Sequence, residues 1–377
     1  MRDAGSIDAA RWRSAAPRAI RFTFIRLAIL GSLLWGLLLP GVCGATEVVR
    51  LLDADRDALQ ARVDLIQRAS REICVSCFAI GSDHVALGNL ALLRDAARRG
   101  VRVRIVVDAL NNRMPNDVQA HLLEQGVQIK EYHPLRLVRP DWTLSRLHDK
   151  LLIVDQREML TGGRNTESRY FGLEEHNYLD RDVYVRGRVT AHAQRYFEEL
   201  WSSTEVVDVQ RGPMLESMPA PGEAIAKRPT KLGQLFPFPG MSDTSAAAAE
   251  LDLVRSRLVD EELVHLCAYT DWSIGEHQVQ GAWFLCDPAG KKNHERAISG
   301  ELARLVASAQ QSVLIETPYL VLTDSFKKAL TEARSRGVGV RILTNSLASA
   351  DVLVAFAGYE SNKQDMERLG IELWEYR

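Results

Sequence analysis

With 377 residues, 46% of them hydrophobic and 25% charged, the chain has ordinary globular composition and is long enough for two domains with separate cores. Its 47 basic and 49 acidic residues leave a net charge of −2, which excludes the global basic field of a general nucleic-acid binder. Any site for an anionic substrate must therefore be locally positive.

In chain order, residues 1–45 come first, with six arginines (Arg2, Arg11, Arg13, Arg18, Arg21, Arg26) against Asp3 and Asp8, then the 16-residue apolar run LAILGSLLWGLLLPGV at Leu27 to Val42. A basic approach followed by a short apolar core reads as an export signal or N-terminal membrane anchor, expected in a bacterial inner-membrane or periplasmic protein. From Thr46 the pattern is α/β. Asp55 is expected to cap a helix with Leu59, Val63 and Ile66 on one stripe, followed by the strand ICVSCFAI and a second helix ending at Arg99-Gly100. The strand VRVRIVVDAL, a short helix from Asp117 to Gln125 stopped by Gly126, and the strand VQIKEY complete the run. Such alternation implies a parallel or mixed sheet covered on both faces. The five cysteines (Cys43, Cys74, Cys77, Cys267, Cys286) show no metal spacing, and Cys74 and Cys77 read as small buried hydrophobes; disulfide pairing among the last four stays open.

The next stretch, RLHDKLLIVDQREMLTGGRN at Arg146 to Asn165, carries the candidate chemistry. His148 and Lys150 precede an apolar, β-branched run, so a strand would place both on one face. Lysine can hold a phosphate oxygen, while an imidazole can attack phosphorus or donate a proton to a leaving oxygen. Gly162 and Gly163 are expected to let backbone approach a ligand, with Asn165 as a second polar hand.

The spacing His148-x-Lys150-x4-Asp155-x6-Gly162-Gly163-x-Asn165 resembles the HKD motif of the phospholipase D superfamily. The resemblance implies His148 as nucleophile or its acid/base partner, Lys150, Gly163 and Asn165 at the substrate phosphate, and Asp155 at the acidic motif position, mainly structural. It implies no metal and no cofactor. Past the motif, Asp182 on the strand DVYVRG is the expected carboxylate support for the imidazole, with a pair to Arg181 or Arg186 as the alternative. Tyr170 and Phe171 are expected to pack behind the motif, and Thr190 to Ser202 reads as an amphipathic helix burying Phe197, Leu200 and Trp201.

Six of the thirteen prolines fall between Ser202 and Ala247, so a linker is expected over 205–247, between a first domain at 46–204 and a second at 248–377; Lys227, Arg228 and Lys231 could touch lipid headgroups. The second half replays the first: REICVSCFAI matches QSVLIETPYL, ARRGVRVRIVVDAL matches RSRGVGVRILTNSL, and EQGVQIKEY matches RLGIELWEY. No His-x-Lys pair follows Lys150. The fold class expected is α/β, a repeat of phospholipase D-like α/β/α sandwich units with the second incomplete. The second-half segments ETPYLVLTDSF and TNSLASADVLVAFAGYESNKQDMERLGIELWEY resemble bacterial two-motif cardiolipin synthases. The implied activity is phosphatidyl transfer on phospholipids at a membrane surface, with hydrolysis as the alternative. A homodimer or a missing C-terminal half would complete the site. A nuclease or a lipid-binding fragment without turnover stays open, with nucleic acid disfavoured by charge.

Overall fold

The computed structural model describes residues 46–134, 145–209, 244–266, 270–274, 277–287, 297–350 and 352–376. The expected leader and the headgroup contacts of Lys227, Arg228 and Lys231 fall outside them. Strand β1 (Thr46–Leu52) leads into helix α1 (Asp55–Arg68), which buries Leu59, Val63 and Ile66 as the stripe predicts. Asp55 does not cap it: Ala54 is the N-cap, and the Asp55 carboxylate instead accepts from Arg164 at 2.7 Å. Strand β2 (Glu72–Cys77), helix α2 (His84–Arg98), strand β3 (Arg102–Asp108), helix α3 (Asn116–Glu124) and strand β4 (Gln128–Tyr132) follow in the expected alternation.

After β4 come strands β5 (Lys150–Val154), β6 (Glu158–Gly162) and β7 (Asp182–Arg186), then helix α4 (Thr190–Ser202), strand β8 (Val206–Asp208), helix α5 (Ser245–Asp260) and strand β9 (His277–Gln280). They form one sheet in the order β8-β4-β3-β2-β5-β6-β7-β1-β9. Only β2, β3 and β4 run parallel; β5 turns back antiparallel against β2, so the sheet is mixed. One face packs against α1, α2, α3 and α5 through Leu65, Leu90, Ile105, Leu152 and Leu251. The opposite face packs against α4 through Cys74, Val106, Leu151, Ile153, Phe197 and Leu200. Fully burying one such Leu, Ile or Phe contributes roughly 1.5–3 kcal/mol, so each layer is held by many modest terms. Cys74 and Cys77, three apart on β2, fall on opposite layers; burial pushes the Cys74 thiol up to about 12 and raises Cys77 as well.

The second half contains helix α6 (Ala297–Ser308), strand β10 (Ser312–Glu316), helix α7 (Asp324–Ser335), strand β11 (Gly339–Asn345), helix α8 (Leu353–Arg368) and strand β12 (Glu372–Tyr376), with β10, β11 and β12 in a separate parallel sheet. The repeat holds to the residue: Glu72 pairs with Arg102 where Ser312 pairs with Gly339, and Arg104 with Gln128 where Arg341 pairs with Glu372. Gly126 and its counterpart Gly370 both adopt left-handed backbone, φ 89° and 71°.

The expected domain boundaries need correction. Val206–Asp208, expected in the linker, form β8 on the edge of β4. Helix α5 buries Ala247, Leu251, Val254 and Leu258 in the first core, and β9 pairs with β1. Helix α5 and strand β9 therefore pack with the first half, α5 because it has an apolar stripe that fits over α2 and α3.

Candidate active site

The functional stretch begins at an extended segment just ahead of β5. Asp108, closing β3, accepts from the Arg146 guanidinium at 2.6 Å and from the Leu147 amide at 3.0 Å, fixing the approach. Lys150 then pairs with Cys77, and the Phe78 amide donates to the Asp149 carbonyl at 2.7 Å, so the chain is held as a strand through residue 149. Alternation does the rest. Asp149 turns into the fold, where the hydroxyls of Ser76 and Tyr196 each donate to its carboxylate at 2.6 Å. His148 and Lys150 share the other side, as the sequence predicts, with the Lys150 Nζ 3.3 and 3.4 Å from the two imidazole nitrogens. The Phe78 ring lies against both, 4.7 Å from the imidazole centroid and 5.0 Å from Nζ.

His148 is exposed to solvent. Loss of hydration on its packed side and the adjacent ammonium both lower its pKa, with Asp108 opposing. Burial also pushes Lys150 down to about 8, resisted by Asp180. Near neutral pH both shifts favour an uncharged imidazole, beside a lysine that remains mainly an ammonium. The first can attack an electrophile and the second can hold an anion.

The segment after β6 carries Asn165. Thr166 bridges to Ile80, and the Gly81 amide donates to the Thr166 carbonyl at 3.1 Å, so this loop runs beside the extension of β2 that carries Phe78. Arg164 is fully buried and pins the loop from below through the carbonyls of Leu52, Asp53 and Tyr170. Asn165 is 5% exposed, and its amide lies 2.7 Å from the Tyr170 hydroxyl. Phe171 is buried and Tyr170 partly so, packed as expected.

Other expected roles are relocated. Asp155 sits at the far end of β5 from Lys150, about 16 Å by strand rise. Its carboxylate accepts from the amides of Ser70, Arg71 and Glu72 at 2.8–2.9 Å and from the Ser70 hydroxyl at 2.7 Å. Burial alone would raise its pKa, but these donors hold it below the usual carboxylate range. It acts on the β5–β6 turn, not on the substrate. Asp182 does not support His148: it is fully buried and pairs with Arg62 at 3.0 Å and Arg164 at 3.4 Å. Buried charge finds buried counter-charge, and Arg164 arrives from inside the motif itself. The carboxylate that faces Lys150 is Asp180, its pKa raised by burial and by Asp182. Gly162 and Gly163 are small because the packing requires it: a Cβ on Gly162 would stand 2.3 Å from the Arg181 carbonyl, and one on Gly163 1.7 Å from Asp180. Arg181 itself pairs with Asp53 at 2.6 Å and with Glu316 at the end of β10.

Sequence reasoning missed Asp149, Phe78, Asp108, Tyr170 as a partner of Asn165, and Asp180. Asp149 was legible, since alternation sends it into the core, where a carboxylate needs donors. Asp180 and Asp182 lie two apart on extended chain, so the pattern alone does not separate them. Among the described residues no group of three His, Cys, Asp or Glu side chains is arranged to hold a metal ion.

Comparison with known proteins identifies the family. Residues 63–201 and 302–377 match the family described as cardiolipin synthase, PLD-like domain, so both halves are covered. Cardiolipin synthase C of Escherichia coli strain K12 is 28% identical over 360 residues, 90% of this chain and 70% of that protein. Cardiolipin synthase 2 of Bacillus anthracis is 24% identical over 335 residues, 88% of this chain and 54% of that protein. The crystal structure of phosphatidylserine synthase from Haemophilus influenzae Rd KW20 superposes with a TM-score of 0.54 at 13% identity, covering 87% of this chain and 72% of that one, a likeness of fold.

Proposed function

The chain belongs to the cardiolipin synthase, PLD-like domain family, and from that premise we propose that it is a phospholipase D-type phosphatidyltransferase acting on phospholipids through a phosphohistidine at His148. The observation that carries this reading is the His148 imidazole held 3.3–3.4 Å from the Lys150 Nζ on one side of the anchored approach to β5. A ring nitrogen attacks phosphorus, and the bond from phosphorus to the headgroup oxygen breaks, its electron pair leaving with that oxygen, which takes up a proton. Lys150 and Asn165 hold the non-bridging oxygens. A lipid hydroxyl then attacks the phosphohistidine, loses its proton, and releases the imidazole. Water in place of that hydroxyl gives hydrolysis through the same intermediate.

The proton donor belongs to a second His-x-Lys pair, and none follows Lys150 in this sequence. The reading therefore assigns it to a further segment or to a second chain that completes the site. A lipid substrate also favours a membrane-associated location, which the arginine-rich, apolar residues 1–45 would serve; among the described residues no helix is long and apolar enough to cross a membrane.

The test is to incubate the purified chain with phosphatidylglycerol radiolabelled at phosphorus in mixed micelles. Acid-labile label should attach to the wild type and not to His148→Ala. Label persisting on His148→Ala would sink the mechanism. Cardiolipin as product supports transfer, and phosphatidic acid as the sole product assigns the chain to hydrolysis.

A further inference from the structure

Asn165 is the least settled buried group in the site. Its amide nitrogen is placed 2.7 Å from the Tyr170 hydroxyl, and its carbonyl oxygen is buried with no hydrogen-bond partner among the described residues. A buried carbonyl without a donor is costly, and such groups in native folds call for an explanation. The two ends of a side-chain amide are nearly identical in shape, so their assignment follows from the hydrogen bonds around them. Turning the amide over gives a different pattern from the same positions. The Tyr170 hydroxyl then donates to the Asn165 oxygen, and the Asn165 NH2 faces the unsatisfied position with two donors.

The Tyr170 hydroxyl can give a proton in this bond as well as receive one. Burial raises its pKa, opposed by the hydrogen bond with Asn165 and helped by Glu167, so the hydroxyl stays protonated and available to donate. The 3-10 turn Ser168–Tyr170 that carries it is fixed at both ends: the Ser168 amide donates to Asp83 at 2.9 Å, and Arg164 donates to the Tyr170 carbonyl at 3.0 Å. Tyr178 packs against its ring at 4.9 Å.

We propose that Tyr170 is a positioning residue, which fixes the Asn165 amide with its NH2 as a donor to a phosphate oxygen beside Lys150. This rests on reading the site as a phosphodiester site and adds to it a residue that touches no substrate. In the opposite orientation Asn165 would present an acceptor, suited to a hydroxyl rather than to an anion.

The experiment is a double-mutant cycle on the full chain, with calorimetric binding of glycerophosphoglycerol, a soluble phosphodiester, as the readout. Tyr170→Phe should weaken binding on the order of tenfold, since the amide is then free to turn. In an Asn165→Ala background the same substitution should change binding less than about twofold. An equal loss in both backgrounds would overturn the proposal, because Tyr170 would then act by itself. Asn165→Asp supplies the second arm, being nearly isosteric, and its urea midpoint is measured beside the binding to show that the variant is folded. It should abolish binding if the NH2 faces phosphate; retained binding means that an acceptor faces the ligand and overturns the assignment. Absence of phosphodiester binding by the wild type overturns it as well. Binding with the expected cycle but no labelled His148 would instead defeat the transferase reading while leaving Tyr170 in its role.

Discussion

The two halves share one β-α-β-α-β plan in identical register, yet they differ in what surrounds it. In the first, β2 lies between β3 and β5, and α4 covers the second face of the sheet. In the second, β10 pairs only with β11 among the described residues, and one face is packed, by Leu330, Val340, Ile342, Tyr359 and Met366. Leu314, Arg341 and Glu372 lie on its other face and are exposed. In the first half the chemistry enters on a returning hairpin that carries Lys150 next to β2. A parallel sheet does not by itself make this site; an antiparallel neighbour does.

The matched pair Arg104 and Arg341 tests that contrast most severely. Arg104 bonds Glu72 and Glu198 and lies over Phe197 at 5.1 Å and Trp201 at 5.3 Å, while Arg341 at the same register position is exposed. Arg104→Ala should cost about 2–3 kcal/mol, because it takes from Glu72 its buried partner and leaves it Arg102 on the exposed side, and Arg341→Ala, at an exposed position where any pairing is screened, less than about 1 kcal/mol. Urea midpoints of the two variants measure the difference; equal losses would mean that the second sheet face is covered as the first is.

A smaller effect is expected at Asp155, which ties the hairpin turn to Ser70, Arg71 and Glu72, whereas the corresponding Gln310, Gln311 and Ser312 are exposed. Asp155→Ala should lose about 2 kcal/mol at neutral pH. Its folded pKa lies below the ordinary value, so this contribution is present above the carboxylate range and lost as pH falls through the folded value. The gap between variant and wild type should therefore close in acid. A gap independent of pH would remove the carboxylate from the account.

The mildest perturbation is pH alone. With Lys150 pushed down to about 8, phosphodiester binding should weaken about tenfold between pH 7 and 9. Stability moves the opposite way. A depressed lysine disfavours the charged form in the fold, so that cost is present below about 8 and is relieved as pH rises toward the unfolded value. Binding that holds level to pH 9 would mean that Lys150 does not carry the anion.

Much of this molecule was legible in the sequence because periodicity and spacing are local. The alternation of helices and strands, the shared side of His148 and Lys150, the buried stripe of α4 and the register of the repeat all follow from residues near one another in the chain. What was misread depends on distant partners. Asp182 looked like a site carboxylate until Arg62 and Arg164 arrived from either side, and Asp55 looked like a helix cap until Arg164 claimed it. The proline-rich stretch hid the fact that α5, beyond it, completes the first core.

The contact between Gly163 and Asp180 has a consequence for how such a site can change over generations. Asp180 occupies the space that any side chain at 163 would need, and Asp180 faces the lysine. The two positions are therefore coupled: a serine at 163 requires the Asp180 carboxylate to turn out of the space it fills, which changes the charge that Lys150 feels. A substitution at 163 thus reaches the lysine through residue 180, although sixteen residues of chain lie between them.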